Sequence, residues 1–110
     1  MQINYKTKKL KKQLTSEREM LKAYGQRAKK LNQRLGELKA ANNLKEISLI
    51  PPLRLHPYKG SRKGEWSIDI KDNWRILFVI DKPGSPENGK VSLDLGEITI
   101  IKITSIEDPH

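Results

Sequence analysis

The stretch HPYKGSRKGEWSIDIKDNWRILFVI, His56 to Ile80, decides how this chain folds. Glu65–Ile70 and Trp74–Ile80 are apolar-rich runs separated only by the tight turn Lys71-Asp72-Asn73, so they read as the two strands of a hairpin. A proline-flanked loop carrying His56, Lys59, Arg62 and Lys63 feeds the first strand, and the second bears a single cation, Arg75. Alternation places Trp74, Ile76, Phe78 and Ile80 on one face and Arg75, Leu77 and Val79 on the other. With the first set packed under a helix, Arg75 projects onto an open face, where a guanidinium beside apolar neighbours requires an anion. Two candidates stand level: a phosphate, which suits the forked donors, or a structural partner such as Asp69 or Asp94.

Upstream of the hairpin, Met1–Lys6 alternates and predicts a short opening strand. Thr7 is placed to cap a brief helix over Lys8–Leu14, with Leu10 and Leu14 as its buried stripe and Lys8, Lys9, Lys11 and Lys12 on the wet side. Ser16-Glu17-Arg18-Glu19 has the form of a reciprocal capping box. From it Leu21, Tyr24, Ala28, Leu31, Leu35 and Leu38 recur at spacings of three and four, predicting one long amphipathic helix from Glu17 to Ala41. Lys22, Arg27, Lys29, Lys30, Asn32, Gln33 and Arg34 fall on its other faces. Gly25 and Gly36 each weaken such a helix by about 1 kcal/mol relative to alanine, and suggest close approach of a neighbouring backbone. Asn42-Asn43 ends it, and Leu44–Ile50 has room for one more turn before Pro51-Pro52. Downstream, Asp81–Lys90 is a polar Pro/Gly loop, and Val91–Leu95 and Ile98–Ile103 read as strands broken at Gly96-Glu97. The order predicts a single α+β domain over residues 1–110. Two N-terminal helices pack on one face of a small, mainly antiparallel sheet, and the other face stays open.

Composition narrows the chemistry. Residues 1–63 hold 17 Lys/Arg against 4 Asp/Glu, whereas residues 64–110 hold 5 against 9, so the formal charge of +9 is concentrated in the first half. A basic half of this size points to a polyanion, commonly nucleic acid. There is no cysteine, no span of membrane-crossing length and no signal-peptide pattern, which predicts a cytoplasmic protein. No HExxH, CxxC or clustered-carboxylate metal site is present. Gly60 and Gly64 lack phosphate-loop spacing, and there is no nucleophile elbow. No cofactor or metal is therefore expected. What remains is metal-free chemistry on a phosphodiester, for which RNA supplies its own nucleophile, the 2′-hydroxyl. His56 and His110 are the two imidazoles of the chain, and imidazole can both accept and donate a proton near neutral pH. The bland alternatives are a surface histidine before proline at His56 and a frayed terminus at His110.

Three segments, His56-Pro57-Tyr58-Lys59-Gly60, Arg62-Lys63-Gly64-Glu65-Trp66-Ser67-Ile68 and Asn73-Trp74-Arg75-Ile76, resemble the HigB branch of the RelE/ParE toxin superfamily of bacterial type II toxin–antitoxin systems. Its pattern runs approximately LHPLKGDRKGxWSI…NWRI, and its chains commonly end in Asp-Tyr-His. The likeness is close over residues 55–78 and loose elsewhere. It implies a ribosome-dependent, metal-independent mRNA endoribonuclease, held in a hetero-oligomer by a cognate HigA-like antitoxin, with the ribosome and mRNA as its other partners. By position, His56 and Lys59 fall on active-site residues, Arg75 on the arginine that holds the scissile phosphate, and Asp108 and His110 on a terminal acid–base pair. Lys8, Lys9, Lys11 and Lys12, with Arg62 and Lys63, would meet RNA through its backbone. Two departures stand out. Pro109 occupies the usual tyrosine position, leaving Tyr58 as a candidate replacement, and the Asp81–Lys90 loop is long. The same superfamily includes ParE-type proteins that bind DNA gyrase without catalysis, and a plain nucleic-acid-binding module is a third reading. The HPxKG segment, the NWR segment and the terminal histidine favour the nuclease.

Overall fold

The computed structural model describes residues 1–81 and 94–108. The expected loop at 82–90, the first part of the strand expected over Val91–Leu95, Pro109 and His110 lie outside the described residues. Among the described residues five strands form one sheet: β1 (Gln2–Tyr5), β2 (His56–Pro57), β3 (Glu65–Lys71), β4 (Trp74–Ile80) and β5 (Ile100–Glu107), in the order β1-β5-β4-β3-β2. β1 runs parallel to β5 and all other pairs are antiparallel. The helices are α1 (Lys8–Thr15), α2 (Glu17–Tyr24), α3 (Ala28–Ala40) and α4 (Leu44–Ser48). The α+β class and mainly antiparallel sheet are as the residues predicted, with more helical pieces than expected.

Capping explains where the first two helices begin. Thr7 Oγ1 accepts from Leu10 N–H at 3.0 Å and Ser16 Oγ from Glu19 N–H at 3.3 Å. Glu19 also forms an ion pair with Lys12 at 3.8 Å across the α1–α2 junction. The single long helix is the first correction. At Gly25 φ is +55° and ψ is −125°, so α2 stops, a 3-10 turn Gly25–Arg27 follows, and α3 starts at Ala28. Ala28, Leu31, Leu35 and Leu38 are buried as expected, but in α2 Met20 is buried and Leu21, assigned to the stripe, is 62% exposed. No neighbouring backbone crowds either glycine, since a Cβ built at Gly25 or Gly36 meets nothing within 4 Å.

Leu10, Leu14, Leu31, Leu35 and Leu38 from the helices join Ile68, Ile76, Phe78, Ile101 and Ile103 from the strands in one buried cluster, so the helices cover one face of the sheet. Arg34, expected on a face other than the apolar stripe, is only 6% exposed. Its Nε donates to the Asp69 carbonyl at 3.0 Å and its Nη1 to Glu37 at 2.9 Å. The Asp69 carbonyl needs this donor because the β3–β4 register shifts between Asp69 and Lys71. Leu95 is a further correction: it belongs to a 3-10 turn, Leu95–Glu97, started by Asp94, whose Oδ1 accepts from Gly96 N–H at 2.8 Å. The last strand consequently starts at Ile100 and reaches Glu107.

Candidate active site

Register places the loop histidine and the strand arginine on the same sheet face, the one opposite the helices. One row across the sheet is His56–Ser67–Leu77–Ser105, and the next is Asp69–Arg75–Glu107. His56 is held there because it and Pro57 pair with Ser67 and Trp66 as a two-residue strand, and Tyr58 N–H continues the pairing by donating to the Glu65 carbonyl at 2.9 Å. Arg75, 28% exposed at its side chain, donates from Nη1 to the Tyr58 hydroxyl at 3.3 Å, and its Nε lies 3.5 Å from Asp69 Oδ1. The other Asp69 oxygen lies 3.6 Å from Arg54 Nη1. Of the two partners weighed for Arg75, Asp69 is the one engaged; Asp94 caps its own turn instead. The same groups nonetheless remain accessible: Arg54, Leu55, His56, Asp69 and Arg75 line a cavity of about 460 Å³.

Tyr58 is the hub of this face. Its ring meets His56 edge-on at 5.2 Å and 85°, and the Arg62 guanidinium lies 5.3 Å from its centroid. Arg62 itself is taken up by two carboxylates. It donates to Glu65 at 2.7 and 3.3 Å and to Glu107 at 3.0 and 3.3 Å, while the Ser105 hydroxyl also donates to Glu107. Hydrogen bonds from Arg62, then Ser105, hold the Glu107 carboxyl below the usual glutamate range; the two carboxylates together raise Arg62. Arg62, an expected RNA contact, fastens the His56–Gly64 loop to β5 in this structure.

The remaining candidates are more dispersed. Lys59 and Lys63 are exposed on that loop but do not line the cavity, and Asp108 is exposed immediately after β5. Lys8, Lys9, Lys11 and Lys12 are exposed along α1. His110 lies outside the described residues, so the expected meeting of two imidazoles rests on His56 alone. Among the described residues no group of three or more His, Cys, Asp or Glu is placed to hold a metal, and no helix is long and apolar enough to cross a membrane. Arg54 and the bridging position of Asp69 were not read from the sequence.

Residues 3–91 match the family described as the RelE-like toxin of the type II toxin–antitoxin system HigB. The chain belongs to the HigB-like toxin family. A relative is the endoribonuclease HigB of Proteus vulgaris, 41% identical over 49 residues, a match taking in 44% of this chain and 52% of that protein. The chain thus matches about half the length of this HigB relative. The resemblance read from the His56–Ile76 motifs is that of a true family member.

Proposed function

We propose that this HigB-like chain is the toxin of a toxin–antitoxin pair and acts as a metal-independent endoribonuclease on mRNA bound to the ribosome. The observation that carries this reading is the cavity lined by both His56 and Arg75, the latter donating to the Tyr58 hydroxyl. In the reaction, Arg75 exchanges Asp69 for the scissile phosphate and neutralises its charge as the phosphorus becomes crowded. A base removes the 2′-hydroxyl proton, O2′ bonds to phosphorus, the P–O5′ bond breaks, and an acid protonates the departing 5′-oxygen. The products are a 2′,3′-cyclic phosphate and a free 5′-hydroxyl. His56 and His110 are the proton-transfer groups, with Asp108 completing the acid–base pair, and Lys59 adds positive charge at the loop. Lys8, Lys9, Lys11, Lys12 and Lys63 meet ribosomal RNA through its backbone, a contact that weakens with salt. A HigA-like antitoxin binds the toxin in a cytoplasmic hetero-oligomer and silences it.

The test is controlled expression in growing bacteria with mapping of mRNA 5′ ends. Codon-spaced breaks are expected, reduced by roughly 10²–10³-fold in Arg75→Ala, the loss typical of one preorganised charge donor. Intact message accompanied by a DNA-damage response would replace this reading with gyrase binding. Undiminished cleavage by Arg75→Ala would remove Arg75 from the mechanism.

A further inference from the structure

Asp69 is gripped from two sides. Arg54 Nη1 stands 3.6 Å from one carboxylate oxygen and Arg75 Nε 3.5 Å from the other. A carboxylate between two guanidiniums presents two oxygens where a phosphodiester would present its two non-bridging oxygens. Two arginines against one aspartate leave a net positive charge on the wall of the cavity that His56 also lines.

Arg54 does not earn this place by stabilising the fold. Its side chain is 74% exposed, and an exposed pair at 3.6 Å contributes little to stability. Its backbone is also unfavourable for arginine: φ is +46°, a left-handed cap after the turn Pro51–Leu53, where glycine or asparagine is the usual occupant. A long cation at this position, against local preference and lining the cavity, is placed for a ligand rather than for its neighbours.

We propose that Arg54 is a second RNA-binding residue, taking the phosphodiester next to the one held by Arg75, with Asp69 holding both guanidiniums at the cavity until RNA displaces it. The ligand is single-stranded RNA, and the contact is to its backbone and indifferent to sequence. The inference rests on the nuclease reading above and adds to it the residue that seats the neighbouring nucleotide.

The test compares wild type with Arg54→Gly, Arg54→Lys and Arg75→Ala. The probe is a fluorescein-labelled single-stranded oligomer of 2′-O-methyl RNA, which lacks the nucleophile, titrated by anisotropy between roughly 50 and 200 mM salt. Arg54→Gly is expected to bind roughly five- to tenfold more weakly, and its log–log salt slope to shrink by about 0.7, the share of one phosphate on a single strand. Arg54→Lys should keep most of that slope. The thermal midpoint of Arg54→Gly should stay level or rise, because glycine accepts the left-handed backbone. An unchanged affinity and slope in Arg54→Gly would overturn the proposal. So would a weakening accompanied by a lowered thermal midpoint, which would make Arg54 structural. Cleavage on ribosomes separates this from the parent reading. Arg75→Ala inactive with Arg54→Gly binding normally would sink only the second contact, whereas a wild-type protein that leaves message intact would sink the nuclease itself.

Discussion

Replacing Arg34 by methionine tests whether the face opposite the cavity supports it. The exchange keeps most of the aliphatic stem, so the void left in the helix–sheet layer is small, and the loss is mainly polar. Two bonds disappear: Nε to the Asp69 carbonyl at 3.0 Å and Nη1 to Glu37 at 2.9 Å. A hydrogen bond from a charged donor is worth about 1.5–3 kcal/mol, and a carbonyl stranded in the interior costs about 1–3 kcal/mol. Glu37 is partly exposed and recovers hydration readily, so its share is the smaller. The expected total is about 2–4 kcal/mol, a large fraction of the roughly 5–15 kcal/mol that holds a domain of this kind together. Urea unfolding followed by circular dichroism measures it, with the midpoint falling and the m-value unchanged. Cleavage should fall as well, under conditions where the variant remains folded. The released carbonyl belongs to Asp69, whose carboxylate orients Arg54 and Arg75 on the other side of the sheet. A stability loss below about 0.5 kcal/mol would refute the account of Arg34 as the polar anchor of the β3 bulge.

Three further predictions follow from the same geometry. Tyr58→Phe keeps the ring between His56 and Arg62 but removes the hydroxyl bonded to Arg75, so cleavage should drop a few-fold, and Tyr58→Ala, which also loses the ring contacts, should drop further in the same assay. Gly25→Ala, at φ +55°, should cost about 1–3 kcal/mol, whereas Gly36→Ala, in open space within α3, should gain up to about 1 kcal/mol; thermal melts separate them. Because the folded Glu107 carboxyl titrates below its unfolded range, its contribution is present above that range and is lost as pH falls through the lowered value. Glu107→Gln should therefore flatten this part of the acid limb of a stability–pH profile.

How much was legible follows from the distance over which each feature is determined. The helix caps at Thr7 and Ser16, the β3–β4 hairpin and the projection of Arg75 away from Ile76 and Phe78 depend on residues a few positions apart, and periodicity reports them directly. Leu21 was misplaced because one unbroken helix was assumed, and Arg34 because its partners, the Asp69 carbonyl and Glu37, are not visible in helical spacing. A single residue at positive φ, Gly25, ends α2, and helical spacing does not report it.

From the sequence alone came the α+β class, the concentration of basic charge in the first half and the grouping of His56, Lys59 and Arg75 around one hairpin. Tertiary structure alone decided that β1 lies parallel beside β5, that Arg34 reaches Asp69 across 35 positions, and that Arg62 is bound to Glu107 across 45. It also seated Arg54 and Arg75 on one carboxylate. The reason is physical. Local spacing sets which way a side chain points, but the partner it meets, and hence whether a cation is engaged or available, depends on chain brought alongside from far away.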